Sequence, residues 1–342
     1  MRLWVLAGDV GGTKTDLAVY HIEGSEHVTL QRQDSFPSRD YAGLEELVRA
    51  FLDDHEEGID AAAFGVAGPV LEGKVTVTNL PWRVEAASLA AAIGCPDVQL
   101  MNDLESTAYG ALFLDSEHLL TLNEGSARRT HRCVIAAGTG LGQAILFWDG
   151  TRYRPAATEG GHVDFAPRNE REMGLLRFLL NKHERVSYER VLSGPGLFNI
   201  FDYLRREVGT PVLPAVLERI EAEDPSAVVG EMGLSGACAT CREAVDLFAS
   251  LYGAQAANLA LSSMALGGVY IGGGIVTKLL PRIQAGGFME AFTSVGRFGS
   301  LMAETPVQVI LDPKTSLLGA AEVALDFALE RATSETTRRV SG

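Results

Sequence analysis

The chain has 342 residues and a formal net charge of −15, with 46% hydrophobic and 21% charged residues. That length is enough for two domains with real cores, and the acidic balance argues against a general nucleic-acid surface or an anionic membrane as partner. It leaves room for an anionic ligand, because backbone N–H groups and Mg²⁺ hold phosphate without a basic surface.

The N-terminal stretch sets the plan of the chain. An apolar run over residues 3–7 leads into Gly8-Asp9-Val10-Gly11-Gly12-Thr13, and a second apolar run follows over 16–21. This predicts a β-hairpin with a glycine turn. Gly11 and Gly12 are expected to reach positive φ and to leave no Cβ between backbone and ligand. Successive N–H groups of such a turn form a nest for an anion. Asp9 ends the strand, and a carboxylate beside a phosphate calls for a divalent cation between them. The reading is a Mg·nucleotide phosphate site, with an ordinary tight hairpin as the alternative.

Further along, 28–33 reads as a third strand, 41–54 as an amphipathic helix and 61–67 as a short apolar strand ending at Gly68-Pro69. A strand at 74–78 runs into the loop Asn79-Leu80-Pro81-Trp82, 84–93 is helical, and 98–101 is a strand. Asn102-Asp103 follow that strand directly, ahead of a helix over 104–114. A kinase acting on an alcohol needs a base near the attacking oxygen, and Asp103 is the candidate; the alternative is a helix N-cap. Asn102 beside it offers a hydrogen bond to a neutral hydroxyl.

The second half repeats the first plan. Residues 133–137 form an apolar run, Gly138-Thr139-Gly140-Leu141-Gly142 a glycine turn, and 143–148 another apolar run. Glu159-Gly160-Gly161-His162 puts a carboxylate and an imidazole on one loop, a pair suited to a hydroxyl-rich ligand; a metal role for His162 lacks neighbouring ligands. Residues 170–182 are helical, and 187–196 read as a short helix and a sharp Gly194-Pro195 stop. Glu189, which precedes Arg190, alone reads as half of a surface ion pair. The proline-punctuated stretch 210–229 reads as a peripheral insertion. The uncharged run 247–277 is long enough for a bilayer, but Gln255, Asn258, Ser262, Ser263 and its glycines make it a buried helix, then a strand, then the turn Gly272-Gly273-Gly274, which reads either as a flat surface on which an adenine can lie or as tight packing of the strand 269–271 against a helix. A last strand at 307–311, a helix at 317–331 and a disordered polar tail from 332 complete the chain.

Cysteine is sparse. Cys95, Cys133, Cys238 and Cys241 make no disulfide scaffold, and the Cys238-x-x-Cys241 pair lacks the second half of a zinc site. Reduced thiols in a cytosolic setting fit. The apolar run after Arg2 is too short for a signal peptide, and the lysine-bearing phosphate loop of other NTPases is absent.

Taken in order, Gly8–Thr13, Asn102-Asp103, Gly138–Gly142, Glu159-Gly-Gly-His-Val-Asp-Phe165, Ser187-x-Glu-Arg-Val-Leu-Ser-Gly-Pro-Gly196 and Gly272-Gly-Gly-Ile275 resemble the motifs of the bacterial ATP-dependent glucokinases, in the actin–hexokinase superfamily. The resemblance covers residues 3 to about 325. It implies a two-domain, actin-like (ribonuclease H-like) α/β fold with an interdomain cleft, placed here as 1–106 plus 313–342 and 107–312. It also implies a homodimer, ATP and Mg²⁺, with the metal held through water near Asp9. By the same resemblance Asp103 is the base; Asn102, Asp103, Glu159, His162 and Glu189 bind glucose; Gly8, Asp9, Val10, Gly11, Gly12 and Thr13 bind ATP phosphates. Gly138, Thr139 and Gly140, with Gly272, Gly273 and Gly274, complete the nucleotide site. Lys14-Thr15 and Asn79-Leu-Pro-Trp82 are similar instead to the repressor–kinase–open-reading-frame sugar kinases, whose paired-cysteine zinc motif and N-terminal DNA-binding helices are missing. The expected reaction is ATP plus glucose to glucose 6-phosphate in the cytoplasm. A kinase for mannose, fructose or N-acetylmannosamine, or a sugar sensor with little turnover, stays open.

Overall fold

The computed structural model describes residues 2–23, 27–126 and 128–340. The chain divides into two compact units. The first holds 1–115, 154–157 and 312–342, the second 116–153 and 158–311.

Unit one contains β1 (Arg2–Val10), β2 (Lys14–Glu23), β3 (His27–Pro37), α1 (Leu44–Leu52), β4 (Ala61–Val66), β5 (Lys74–Thr76), β6 (Arg83–Glu85), α2 (Ala86–Ile93), β7 (Val98–Asn102), α3 (Asp103–Gly110) and a C-terminal helix (Thr315–Val340). Five strands form one sheet in the order β3-β2-β1-β4-β7. β1 pairs antiparallel with β2 and parallel with β4, and β4 pairs parallel with β7. Every residue of β4, Ala-Ala-Ala-Phe-Gly-Val, is buried, as a parallel strand covered on both faces requires. On one face Leu44, Leu47, Val48 and Phe51 of α1 join Leu6, Leu17 and Phe64 in a core. On the other, α3 and the C-terminal helix meet through small residues: a side chain at Gly110 would collide with the carbonyl of Thr315, and one at Gly319 with that of Ser106.

Unit two contains β8 (Leu119–Asn123), β9 (Arg132–Ala137), β10 (Leu141–Trp148), α4 (Glu170–Leu180), α5 (Gly194–Tyr203), α6 (Pro214–Ala222), α7 (Pro225–Leu234), α8 (Ala239–Ser263), α9 (Gly274–Ile283), α10 (Gly287–Thr293) and α11 (Gly299–Ala303). Strand β11 (Tyr153–Thr158) has its middle residues grouped with unit one, and β12 (Gly268–Gly272) and β13 (Val307–Ile310) complete the set. The order is β10-β9-β12-β13-β8, with β9, β12 and β13 parallel. Helix α8 is apolar on most sides and buried along most of its length, the behaviour of a helix hydrophobic all round. No helix among the described residues is long and apolar enough to cross a membrane. All four cysteines are free and buried, and Cys238 caps α8 by accepting the Cys241 N–H at 3.3 Å.

Four expectations change. The Gly194-Pro195-Gly196 stop is the start of α5: Ser193 is its N-cap, accepting from Gly196 N–H at 3.1 Å, and Pro195 sits in the first turn, where a missing N–H costs nothing. The 210–229 insertion is not peripheral. It forms α6 and the start of α7, each opened by a proline, and buries Val216, Val228 and Val229 in the unit's core. The tail expected to be disordered from 332 continues the C-terminal helix to Val340; residues 341 and 342 lie outside those described. Gly11 and Gly12 do not take positive φ. Their lack of a side chain is used for space, since a Cβ at Gly12 would stand 2.8 Å from the carbonyl oxygen of Thr78.

Candidate active site

In unit one the register of the parallel strands brings the polar ends of β1 and β7 to one edge. Val10 lies beside Val66, and Val66 beside Asn102, so Asp9 is one residue short of that level and Asp103 one beyond it. This is the carboxyl edge, where open α/β sheets bind ligands. Asn102 is the N-cap of α3. Its Oδ1 accepts the Leu104 N–H at 2.9 Å, and Glu105 reaches back to accept the Asn102 N–H at 3.2 Å. Its Nδ2 donates to the Gly68 carbonyl at 3.1 Å. Asn102 thus takes the capping role that sequence alone left open to Asp103, and Asp103 becomes the first helical residue. Asp103 also accepts the Leu104 N–H, at 2.9 Å. Burial, and then the charge of Asp9, push the Asp103 carboxyl up to about 6. Both causes point the same way, because burial disfavours the anionic form and the Asp9 charge repels it.

Asp9 is held by one hydroxyl: Ser316 Oγ donates to its Oδ1 at 2.8 Å. The close packing around Gly65 allows this, because a Cβ there would lie 2.9 Å from Ser316 Oγ. Burial raises the Asp9 carboxyl, Ser316 opposes that, and the charge of Asp16 adds to it. Asp16 faces Asp9 across the β1–β2 ladder. Lys14, the cation nearest the glycine turn in sequence, is committed to Asp16 at 2.7 Å. Gly8 is a packing glycine: a side chain there would run into the ring of Phe64.

In unit two the hairpin turn Gly138-Thr139-Gly140 closes with the Gly138 N–H on the Gly140 carbonyl at 2.8 Å, and the Gly138 carbonyl accepts the Gly194 N–H at 2.9 Å. Glu189 is no surface ion-pair partner. It lies half-buried under this turn, its Oε2 accepting the Leu141 N–H at 3.1 Å. A Cβ on Gly140 would stand 2.5 Å from that oxygen. Residues 160–162 form one turn of 3₁₀ helix, pressed onto β10 so closely that a side chain at Gly161 would strike the Leu141 carbonyl and one at Gly160 the Gln143 amide. Glu159 and His162 are exposed, with Oε2 and Nε2 3.9 Å apart. Leu141 is therefore the common support of Glu189 and of the turn that carries Glu159 and His162.

Beside the same turn is a cavity of about 1060 Å³, lined by Gly138 and Thr139, by Gly194 of α5, Ser226 of α7, and Gly274 and Lys278 of α9. Three helix N-termini open onto it, and helix N-termini favour anions. Those of α5 and α7 are capped by their own Ser193 and Asp224 side chains. That of α9 has Gly273 as N-cap and no side-chain cap, so its first N–H groups remain to be satisfied by a ligand or water. The walls from Leu197, Phe198 and Ile275 are apolar. An apolar slot with an anion-binding rim suits a nucleotide.

The comparisons with known proteins now bear on this geometry. A family model described as Glucokinase matches residues 6–326. The chain belongs to the glucokinase family. A glucokinase of Nostoc sp. is 40% identical over 93% of this chain and 97% of its own length, and one of Klebsiella pneumoniae is 35% identical over 94% and 96%. The crystal structure of a glucokinase from an Antarctic psychrotroph superposes with a TM-score of 0.83 at 28% identity, covering 94% of this chain and 99% of that one. The glucokinase-family fold, two-domain and actin-like, is thus the fold of this chain.

Sequence reasoning missed the α7 and α9 walls of the cavity. Ser226 lay inside the supposed insertion, although Asp224-Pro225 is a recognisable N-cap followed by proline at the first helical position. Lys278 carries no local motif; only the packing of α9 brings it to the cavity.

Proposed function

We propose that this glucokinase-family protein transfers the γ-phosphoryl group of ATP to the 6-hydroxyl of glucose, with Asp103 as general base. The observation that carries the proposal is the Asp103 carboxyl, held at about 6 at the carboxyl edge of the sheet. A base of that pKa is ionised at neutral pH yet basic enough to take a proton in the transition state. Asp103 accepts the hydroxyl proton as that oxygen attacks the γ-phosphorus and the bond to the β–γ bridging oxygen breaks. Asn102, Glu159, His162 and Glu189 hydrogen-bond the sugar hydroxyls; a site that reads hydroxyls in this way rejects analogues lacking them. The nucleotide occupies the cavity of unit two, its phosphates against Gly138–Gly140 and the uncapped start of α9 at Gly272–Gly274. The turn Gly8–Thr13 supplies further N–H donors.

The donor set of unit one fits Mg²⁺. Asp9 and Asp103 are both raised by burial, and Asp9 feels Asp16 as well, so the edge carries more negative charge than its one partner hydroxyl and Lys14 relieve. Asp9 would hold the ion through water, and the ion would neutralise charge on the phosphates. The four free buried thiols suit a reducing cytoplasm, and the family resemblance supports a homodimer in solution, which light scattering would test.

The deciding experiment is ADP release with a panel of sugars at fixed ATP·Mg²⁺. Glucose should give the highest kcat/KM, and chelation by EDTA should abolish turnover until Mg²⁺ is restored. Another sugar as clear winner would overturn the substrate; no ADP release with any sugar would leave a sensor.

A further inference from the structure

Tyr252 lies fully buried on α8, and its hydroxyl reaches the place where β9 and β12 stop. It accepts the Ala137 N–H at 3.1 Å and lies 2.9 Å from the Ile135 carbonyl and 3.1 Å from that of Gly272. A hydroxyl has one proton and two lone pairs, so one group satisfies a donor of β9 and shares its proton between a carbonyl of each strand. The two strands pair from Gly268 beside Arg132 to Gly272 beside Ala136. Ala137 is the first residue past that ladder, and without the hydroxyl its buried N–H would have no partner.

These two residues are also the roots of the two glycine segments that line the cavity. Ala137 precedes Gly138, and Gly272 precedes Gly273, which takes φ 93° and packs so closely on Ala137 that a side chain there would overlap its peptide. The phenol is kept in place by Phe248 and Phe288, edge-on at centroid distances of 6.0 and 5.8 Å. The hydroxyl therefore ties the start of the hairpin turn to the start of α9 from below, without lining the cavity itself.

We propose that Tyr252 is a positioning residue for the nucleotide: its hydroxyl fixes the spacing between the turn 138–140 and the N-terminus of α9, and so the fit of the phosphates. The proposal rests on the reading that this cavity holds ATP. The Glu159–His162 turn rests on Leu141 and Gln143 of β10, one strand beyond the β9 and β12 groups that the Tyr252 hydroxyl bonds, so loss of the hydroxyl acts more on the nucleotide than on the sugar.

The test compares wild type, Tyr252→Phe, which keeps the ring and removes only the hydroxyl, and Phe288→Leu, which loosens the packing beside the ring and leaves the hydroxyl. Calorimetry with a non-hydrolysable ATP analogue and Mg²⁺ gives nucleotide affinity, and steady-state assays give the two KM values. Tyr252→Phe should weaken the analogue and raise the KM for ATP roughly fivefold or more, because small misplacements of binding groups are costly, while the KM for glucose changes less than about twofold. Phe288→Leu should lower the melting temperature without this split. Equal changes in both KM values, no change in analogue affinity, or the same split in Phe288→Leu overturns the proposal. Wild type that binds no nucleotide removes the underlying reading as well. Should Tyr252→Phe not fold, hydrogen exchange on wild type decides: the Ala137 amide must be protected without nucleotide, and fast exchange there overturns the proposal.

Discussion

The charge of Asp9, at the end of β1, helps hold the carboxyl of Asp103, just past the end of β7, at a pKa of about 6, with burial the larger cause. The strand between β1 and β7, β4, ends in Phe64, Gly65 and Val66, and the missing side chain of Gly65 leaves room for the Ser316 hydroxyl that holds Asp9. Asp9, proposed to hold a divalent cation, thus also raises the carboxyl proposed as the base.

The pH dependence of kcat/KM follows. Above pH 6 Asp103 is ionised and able to accept a proton; below it the rate should fall about tenfold per pH unit. A profile of kcat/KM for glucose between pH 5 and 8 checks this. An acid limb near pH 4, the ordinary carboxylate range, would mean that a raised Asp103 carboxyl does not control the rate in the Mg²⁺-bound enzyme.

Stability should move the other way. The folded pKa of Asp103 is raised above its ordinary 3.8, so the native state binds more protons than the unfolded chain between about pH 4 and 6. Stability from this group is full below that window and is lost as pH rises through it. Asp103→Asn should therefore abolish nearly all turnover, by roughly 10²–10⁴-fold, yet stabilise the protein at pH 7.5 by on the order of 1–3 kcal/mol. Thermal melts at pH 7.5 and 4.5 should show the gain only at the higher pH. A less stable variant at pH 7.5 would contradict the burial account.

Glu159→Gln should raise the KM for glucose at least roughly tenfold while leaving that for ATP within about twofold, since a charged hydrogen bond to a sugar hydroxyl is worth about 1.5–3 kcal/mol. Glu159 is exposed and supports no other residue through its carboxylate except His162, so the fold should be unaffected. Equal changes in both constants would move Glu159 off the sugar.

Lys278→Ala tests the cavity. Lys278 is exposed at its rim, and loss of one solvated contact to phosphate should raise the KM for ATP about three- to tenfold, with the difference from wild type shrinking at high salt. A KM for ATP unchanged at low salt would place the polyphosphate elsewhere.

Much of this was readable in the chain. The apolar runs flanked by glycine at residues 8–12 and 138–140 announced strands and turns because glycine and aliphatic runs act locally. The cap at Asn102 is legible too, as an N-x-x-E capping box ending at Glu105, although Asp103 beside it is an equally good N-cap residue type. Two of the misread elements share a cause: Pro195 reads as a stop and the prolines of 210–229 as punctuation of an insertion, whereas Pro195, Pro214 and Pro225 each sit in the first turn of a helix. The polar continuation of the C-terminal helix beyond residue 331 has no apolar stripe to signal it. The cavity wall was out of reach, since α7 packs on both α5 and α9 across about thirty and fifty residues of sequence, for which no local pattern exists.

The C-terminal helix has a consequence for how the protein is made. Unit two is contained within 116–311, but unit one waits for residues 312 onward. A ribosome therefore releases the later-encoded unit in finished form before the earlier one can close. Until Ser316 and Gly319 emerge, α3 has no helix to seat against and Asp9 has no hydroxyl to orient it. A nascent chain stopped at residue 311 should hold its second unit against protease and lose its first. The seat of α3 and the hydroxyl that holds Asp9 are thus completed last, after synthesis is nearly over.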